Sequence, residues 1–425
     1  MNRYNSYKDS GEKWLGEIPS HWKLIRSKYL WREKQNRSNS GKETLLSVSQ
    51  YDGVTPSKDE SRSESLEGYK VVNKNDLVIN IMLAWLGGLG VSKYEGIVSP
   101  AYCIYSQKGD NCSQYLHYLY RTPTYLAEFA RHSTGVVPSR WRMYTNDFGQ
   151  VLSLLPPLNE QQAIASYLDS ATSKIDAAIA REQKMIDLLN ERKQIIINHA
   201  VTKGLNPNAK LKDSGVDWIG EIPEGWETIP LRFVFEIRNG YTPSKSVKEY
   251  WEDGIIPWYR MEDIHKSGRI LHDSIQHITK KAIKGGGLFS AGSFILATCT
   301  ASIGEHAMLM VDSLANQRFI NLKIGEAYSS KYNPLYIYFY MFIVGKFCRH
   351  TSNSTTFQNA DINELKNFPI LLPSIEEQNS IVDRLKSRLK DLDETLDKTS
   401  KMISLLQERK QIIINDVVTG KIKVF

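Results

Sequence analysis

Apolar residues recur at a helical period along two long stretches that contain neither proline nor glycine, residues 159–203 and 374–419. Each stretch follows a proline, and Asn159 and Ser374 are suitable residues to cap the two helices. Seven apolar positions of the first stretch have apolar counterparts 217 residues later: Ile164, Leu168, Ile175, Ile179, Ile186, Leu189 and Ile196. From Ile175 onward the spacing is typical of a coiled-coil seam. We predict two rods of roughly 60 Å that pack antiparallel. The alternative is that each helix only buries the core of its own domain.

These two helices belong to a longer internal repeat, and such a repeat is the first feature to look for in a long chain. The repeated segments are KDSGEKWLGEIPSHW (8–22) and KDSGVDWIGEIPEGW (212–226), with 10 of 15 positions identical, LLPPLNEQ (154–161) and LLPSIEEQ (371–378), and ERKQIIIN at both 191–198 and 408–415. Between these anchors the two halves diverge almost completely. We therefore predict that the matching segments form a shared scaffold and that the differing segments distinguish the two halves.

The two divergent regions have the pattern of mixed α/β domains. Short runs rich in β-branched and aromatic residues, separated by glycine and asparagine turns, predict strands at 76–83, 96–105, 292–299 and 319–324. Each region also contains one tyrosine-rich helix, SQYLHYLY or PLYIYFYMFIVGKF. We predict that these tyrosines belong to the core rather than to a surface on which bases stack.

Composition narrows the class of protein without deciding it. The 425 residues predict several domains, and 41% hydrophobic with 24% charged residues is typical of a folded chain. No apolar run is long enough for a membrane helix, and the polar N-terminus does not resemble a secretory signal. Four scattered cysteines indicate reduced thiols and a cytoplasmic location. The net charge of +7 is compatible with nucleic acid but is shared by many other proteins.

The motifs of common catalytic sites are missing from the sequence. There is no GxxxxGK[ST] loop, and LGGLGVSK (86–93) lacks the GxGxxG spacing of a dinucleotide site. NPLY (333–336) is one residue away from the NPPY of amino-methyltransferases. We interpret its asparagine as a helix cap followed by a first-turn proline. We predict no catalytic residue, no metal ligand and no cofactor on this chain.

The remaining candidate chemistry is nucleic-acid binding by polar loops of the divergent regions. Arginine, lysine, threonine, asparagine, glutamine and aromatic residues are the side chains that contact phosphates and base edges. The candidates are Thr55, Lys58, Arg62, Ser139, Arg140, Trp141, Arg142, Tyr144, Arg238, Asn239, Tyr241, Lys245, Arg260, Gln317, Arg318, Thr355 and Gln358. The alternative for each of them is an ordinary surface residue.

In this order of motifs the chain resembles the specificity subunits of type I restriction–modification systems. The resemblance rests on GEIPSHW and GEIPEGW, TASIG (300–304), the two LLP…EQ helix starts and the two ERKQIIIN helix ends, and it covers essentially the whole chain. It implies an α+β fold with two α/β target-recognition domains in pseudo-twofold repeat, separated by two long antiparallel coiled-coil helices. The expected boundaries are 1–156 and 206–373 for the domains, and 157–205 and 374–425 for the central and C-terminal helices.

The resemblance also implies a function and partners. Each domain would read one half of a split, asymmetric site on double-stranded DNA, and two methyltransferase subunits would modify adenines there, joined by restriction subunits. S-adenosylmethionine, ATP and Mg would belong to those partners. The repeated residues Glu191, Arg192, Lys193, Glu408, Arg409 and Lys410 would dock the two copies of the methyltransferase. Two alternatives remain: a duplicated coiled-coil adaptor that binds proteins, and a degenerate fusion with activity of its own.

Overall fold

The computed structural model describes residues 2–57, 65–137, 140–216, 219–352 and 359–425. The chain divides into two compact units, the first formed by Met1–Lys184 with Ser400–Phe425 and the second by Met185–Thr399. The two long helices are divided between the units. Each unit therefore contains one divergent region together with a part of each helix.

The first unit combines short strands with helices. Its strands are β1 (Tyr7–Asp9), β2 (Glu17–Pro19), β3 (Lys23–Arg26), β4 (Trp31–Lys34), β5 (Leu46–Ser49), β6 (Gly53–Pro56), β7 (Lys70–Val72), β8 (Leu77–Asn80), β9 (Leu89–Val91), β10 (Gly96–Val98), β11 (Tyr102–Gln107) and β12 (Leu152–Leu155). Its helices are α1 (Ser27–Leu30), α2 (Ser113–Tyr120), α3 (Pro123–Arg131), α4 (Thr145–Gln150) and the first part of α5 (Leu158–Lys203).

The main sheet of the first unit is antiparallel, with strand order β4-β11-β8-β9. All four residues of β8 are buried, as expected of a strand covered on both faces. A separate antiparallel pair joins β3 to β12, with Arg26 opposite Leu152. In this pair, a strand at the start of the divergent region lies beside a strand at the end of the same region, directly before α5.

The second unit likewise combines short strands with helices. Its strands are β13 (Leu211–Asp213), β14 (Glu221–Pro223), β15 (Glu227–Pro230), β16 (Phe235–Asn239), β17 (Ile256–Tyr259), β18 (Ile270–Leu271), β19 (His277–Ile278), β20 (Phe294–Ala297), β21 (His306–Leu309), β22 (Leu314–Ala315), β23 (Phe319–Ile324) and β24 (Pro369–Leu372). Its helices are α6 (Leu231–Val234), α7 (Met261–Ser267), α8 (Glu326–Ser329), α9 (Pro334–His350), α10 (Ile362–Asn367) and α11 (Ile375–Val418), with the end of α5.

The main sheet of the second unit has the order β16-β23-β20-β21-β18. Its first four strands correspond in order and connection to β4-β11-β8-β9, and β15 pairs with β24 as β3 pairs with β12. The two divergent regions therefore share the topology of this four-stranded core and of this strand pair, despite their different sequences. The predicted mixed α/β class is confirmed.

The long helices pack antiparallel within each unit. In the first unit, Ile164 and Leu168 share a core with Ile414 and Val418. In the second unit, Ile197 and Val201 share a core with Ile381, Val382, Leu385 and Leu389. Early residues of one helix thus meet late residues of the other. Of the two predicted helix caps, the one at Ser374 is confirmed, since its hydroxyl accepts a hydrogen bond from the Glu377 amide at 3.2 Å. The predicted cap at Asn159 is wrong, because Asn159 lies inside α5.

The tyrosine-rich helices lie in the cores, as predicted. Tyr115 of α2 and Tyr336 of α9 are fully buried. The hydroxyl of Tyr115 lies 2.9 Å from the carbonyl of Leu154 and 3.2 Å from that of Val418, and the hydroxyl of Tyr336 donates to the carbonyl of Val201 at 3.2 Å. Burial of a phenol costs little when its hydroxyl has a partner. Each tyrosine therefore fastens its domain to the end of a long helix.

The NPLY motif has the structural role predicted for it. Asn333 caps α9, since its side-chain oxygen accepts a hydrogen bond from the Leu335 amide at 2.8 Å, and Pro334 occupies the first turn. In the described parts of the chain, no helix is long and apolar enough to span a membrane.

Repeated tryptophan and glutamate residues form the same contact in both units. The indole of Trp22 donates to Glu160 at 2.9 Å, and the indole of Trp226 donates to Glu377 at 2.9 Å. Both indoles are almost completely buried. The GEIP segment is thereby fastened to the start of a long helix in each unit, which explains why both motifs recur.

The neighbouring glutamine of each repeated helix start is buried and fully bonded. Gln161 donates to the carbonyl of Pro156 at 2.9 Å and accepts from the Cys112 amide at 2.8 Å. Gln378 likewise donates to the carbonyl of Pro373 at 3.0 Å and accepts from the amide of the cap residue of α9 at 2.8 Å. Each glutamine joins the start of a long helix to the start of a tyrosine-rich helix.

Candidate nucleic-acid interface

Two loops of the first unit bring four of the predicted DNA-binding residues together. In the loop 134–144, of which the structure describes residues 134–137 and 140–144, the Met143 amide donates to the carbonyl of Ile81 at 3.0 Å, in the loop 81–88 that joins β8 to β9. The rings of Trp85 and Trp141 meet edge to face with 5.3 Å between centroids. The predicted residues on the loop 134–144 are Arg140, Trp141, Arg142 and Tyr144.

The four residues of this loop differ in their freedom to bind a ligand. Arg140 and Tyr144 are exposed, whereas Trp141 and Arg142 are half-buried. A guanidinium nitrogen of Arg142 donates to the carbonyl of Trp141 at 2.8 Å, and the backbone of Arg142 pairs with Thr134. Arg140 is therefore the arginine of this loop whose side chain is open to solvent.

Arg121, which sequence analysis did not single out, organises the neighbouring loops. Its guanidinium donates to four backbone carbonyls, those of Gln50 at 2.9 Å, Tyr51 at 2.8 Å, Gly87 at 3.1 Å and Leu89 at 2.6 Å. Burial lowers the pKa of this guanidinium, although arginine stays charged at any physiological pH. The carbonyls of two loops are thus held by one half-buried cation. A lone arginine directly after a helix gives no sequence signal for such a role.

The remaining predictions for the first divergent region do not join this cluster. Thr55 is half-buried on β6, and its hydroxyl lies 3.4 Å from that of Ser47 on the paired strand. Lys58, Arg62 and Ser139 lie outside the described residues, as do Thr355 and Gln358 of the second region.

In the second unit, three loops converge at one end of the sheets. The Tyr241 amide donates to the carbonyl of Ala315 at 2.9 Å, and the Asn316 amide donates to the carbonyl of Tyr259 at 3.1 Å. The predicted residues exposed on these loops are Asn239, Lys245, Gln317 and Arg318. Amide and guanidinium groups exposed together on these loops have the chemistry that contacts base edges and phosphates.

Three other predicted residues of the second region brace these loops. Arg238 donates to the carbonyls of Gly287 at 2.9 Å and Leu288 at 3.0 Å. Arg260 forms an ion pair with Glu262 at 2.8 Å. The hydroxyl of Tyr241 donates to the carbonyl of Ala282 at 3.1 Å. The structure gives each of them an internal partner that the sequence pattern did not reveal.

The predicted docking residues on the long helices fall into two groups. Glu191, Arg192, Glu408 and Arg409 are exposed. Lys193 instead pairs with Asp393 at 2.6 Å, and Lys410 pairs with Asp176 at 2.7 Å. The two lysines therefore join the helices to each other within their units.

Exposed apolar residues on the same helices escaped sequence analysis. Met185, Leu188 and Ile195 on α5 are 48%, 50% and 59% exposed. Their counterparts 217 residues later, Met402, Leu405 and Ile412 on α11, are 48%, 60% and 51% exposed. Spacings of three and seven place each set on one helix face, which also includes Arg192 or Arg409. We call each set an apolar stripe. The signal was present in the sequence, as apolar positions that recur in both copies but lie outside the seam.

Two histidines lie inside the domains: His306 is buried and His117 is half-buried. Burial lowers the pKa of His117 to about 3, and the nearby Arg121 acts in the same direction. Burial likewise lowers the pKa of His306 to about 3, with a contribution from Arg269. His117 accepts a hydrogen bond from the Val91 amide at 3.1 Å, so it supports β9 in its neutral form. Among the residues that the structure describes, no three histidine, cysteine or acidic side chains converge as metal ligands.

Comparison with known proteins identifies similar sequences, some for a part of the chain and one for most of its length. Residues 223–403 match the type I restriction modification DNA specificity domain. The chain is 41% identical over 162 residues to the type I restriction enzyme EcoprrI specificity subunit of Escherichia coli, a match that covers 38% of this chain and 40% of that protein. It is 26% identical over 365 residues to the type I restriction enzyme MjaVIII specificity subunit of Methanocaldococcus jannaschii, covering 83% of this chain and 80% of that protein.

A solved structure has the same fold over nearly the entire chain. It comes from a study of complex assembly and conformational transition of a type I restriction–modification system, and it superposes with a TM-score of 0.67 at 16% identity, covering 95% of this chain and 99% of that one. The match spans both divergent regions and both long helices. The domain match and the two relatives show that the chain is similar to the specificity subunits of type I restriction–modification systems, and the solved structure shows the same fold.

Proposed function

We propose that this chain is the DNA-recognition subunit of a type I restriction–modification complex, in which each divergent region reads one half of a bipartite, asymmetric site on double-stranded DNA. One observation carries the proposal. Repeated residues make the same internal contacts in both units, as Trp22 with Glu160 and Trp226 with Glu377 do, whereas the exposed loop residues differ between the units. A common scaffold with two different reading surfaces suits a site whose halves differ.

The exposed polar residues supply the contacts that such reading requires. Arg140 in the first unit and Arg318 in the second can donate two parallel hydrogen bonds to a guanine edge or contact a phosphate. Asn239 and Gln317 have amide groups that pair with adenine. The net charge of +7 favours association with a polyanion such as DNA.

The apolar stripes are the proposed docking surfaces for two identical methyltransferase subunits. The same partner must meet the same side chains twice, and each stripe offers a methionine, a leucine and an isoleucine beside an exposed arginine and glutamate. An apolar patch rimmed by charged residues is typical of a protein interface. Restriction subunits would join this assembly in the cytoplasm. S-adenosylmethionine, ATP and Mg would be bound by these partners, and the chain itself would catalyse no reaction.

Methylome sequencing tests the proposal directly. A strain that carries the chain with its methyltransferase should methylate adenines in one bipartite motif, and deletion of the chain should abolish that methylation. A methylome that is unchanged by the deletion would contradict the proposed function. A titration of DNA with the purified complex at several salt concentrations separates a DNA reader from a protein adaptor. Affinity for DNA should fall steeply with salt, whereas an adaptor would not bind DNA at any salt concentration.

A further inference from the structure

The loop between β8 and β9 presents an unusual group of exposed apolar side chains in the first unit. Met82, Leu83 and Leu86 are 38%, 42% and 41% exposed, and the half-buried Trp85 directly precedes Leu86. Single exposed apolar residues are common on protein surfaces, but a contiguous group marks an interaction site. We call Met82, Leu83 and Leu86 the apolar ridge.

The ridge is held in a fixed shape by its surroundings. Ala84, between the exposed leucines, is fully buried, and Gly87 ends the turn with φ of +90°. Arg121 holds the carbonyl of Gly87 at 3.1 Å, and Trp85 rests on Trp141 of the neighbouring loop. Because its backbone is fixed before any partner arrives, the ridge loses little conformational entropy on binding.

The equivalent loop of the second unit has different chemistry. It joins β20 to β21, which occupy the positions of β8 and β9 in the matching sheet. Its sequence is TCTASIGE (298–305), rich in small hydroxyl residues, where the first unit has IMLAWLGG (81–88). Its Ile303 is buried, not exposed. The apolar ridge is therefore a feature of the first divergent region alone. The apolar stripes, by contrast, recur on both long helices and suit a partner that binds twice.

Charge around the ridge favours DNA as its occupant. The loops 81–91 and 134–144 contain no acidic residue, and their charged residues are Arg140 and Arg142. Apolar side chains on a DNA-reading surface recognise the C5-methyl group of thymine, the one apolar group that a base pair displays in the major groove. We propose that Met82, Leu83 and Leu86 read thymine methyl groups in the half-site of the first unit, with Arg121 as a positioning residue. This inference rests on the proposed function.

Replacing thymine by deoxyuridine tests the inference, because it removes the methyl group and leaves base pairing unchanged. The probe is a set of duplexes carrying the motif found in the methylome, with each thymine of the first half-site replaced in turn. Dissociation constants are measured for the complex with the wild-type chain and with the Leu83→Ala/Leu86→Ala variant. At least one replacement should weaken wild-type binding about fourfold, as expected for a buried methyl group, and should not weaken binding of the variant further.

Controls separate this inference from the proposed function. Ile255→Ala, at an exposed position of the second unit (76% exposed), should retain the full sensitivity to deoxyuridine. Urea unfolding should show that the double variant is folded. A first half-site without thymine in either strand, replacements that all change affinity less than twofold, or equal sensitivity in the double variant would overturn the inference alone. A complex with no preference for its methylated motif over scrambled DNA would overturn the proposed function and this inference with it.

Discussion

The amine of Lys193 lies 2.6 Å from the carboxylate of Asp393, and the same pair recurs with the helices exchanged, since Lys410 lies 2.7 Å from Asp176. In each unit the lysine comes from the ERKQIIIN segment of one long helix and the aspartate from the other helix. Equivalent residues that contact each other reciprocally are the signature of an interface between two copies of one element. Part of the reason for the repeated octapeptide is therefore internal: it joins the helices to each other.

Reversing the charge of one member of this pair should destabilise the second unit slightly. Lys193→Asp places two carboxylates together and should lower the free energy of unfolding by about 1 kcal/mol, because the side chains of Lys193 and Asp393 are 25% and 53% exposed and partly screened. Adding Asp393→Lys should recover most of the loss. Urea denaturation of the single and double variants measures both effects. If the double variant loses as much unfolding free energy as the two single variants together, the ion pair contributes nothing.

The buried indole–carboxylate contacts should contribute more than the exposed ion pairs. Trp22→Phe removes the hydrogen bond to Glu160 and leaves a small cavity, so it should cost about 2–4 kcal/mol of unfolding free energy. Glu160→Gln keeps an acceptor oxygen and should cost less. Trp226→Phe and Glu377→Gln are the matched pair in the second unit and should follow the same order. A larger loss from the glutamine variants than from the phenylalanine variants would contradict this assignment.

A charge on each apolar stripe should impair assembly without unfolding the chain. Leu188→Glu with Leu405→Glu places carboxylates at positions 50% and 60% exposed, where they remain solvated in the free chain. In a buried partner interface the same charges would be desolvated and unpaired, which costs several kcal/mol. Association with the methyltransferase subunit, measured by analytical ultracentrifugation, should weaken at least a hundredfold. Ile255→Glu is the matched control, and equal association of the stripe variant and this control would refute the docking proposal.

Acid should destabilise both units through His117 and His306, whose pKa values are lowered in the folded chain. His117 and His306 have a pKa of about 3 in the folded chain, whereas an unfolded histidine titrates near 6.5. The unfolded state therefore binds more protons below about pH 6.5, and stability is full above that pH and falls as the pH decreases toward 3. The slope should be about 1.4 kcal/mol per pH unit for each histidine. Urea denaturation at pH 7.5 and 5.5 checks it, and His306→Gln should reduce the slope by one histidine. An unchanged slope in this variant would show that His306 is protonated in the folded chain.

The scaffold was predictable from the sequence because repetition exposes it. The proline-free helices, the tyrosine-rich cores and the cap at Ser374 follow from apolar spacing and cap chemistry, which are local properties. Asn159 misled the prediction because α5 begins one residue earlier, and helix ends depend on contacts as well as on cap preference.

The partners of individual loop side chains were not predictable. Arg238 and Arg140 are equally plausible DNA contacts by residue type, yet Arg238 donates to two carbonyls of its own domain while Arg140 is exposed. Long flexible side chains reach backbone groups that are distant in sequence, so periodicity carries no information about them. The same reason hid the role of Arg121.

Exchange of one divergent region tests whether each region reads its own half of the DNA site. Residues 23–153 are replaced by the corresponding region of a related specificity subunit with a known different target, leaving both long helices and the second unit intact. Methylome sequencing of a strain with this chimaera should reveal a motif in which only one half has changed, while the other half and its methylated adenine are retained. A methylome in which both halves change together would contradict separate reading of the two half-sites by the two divergent regions.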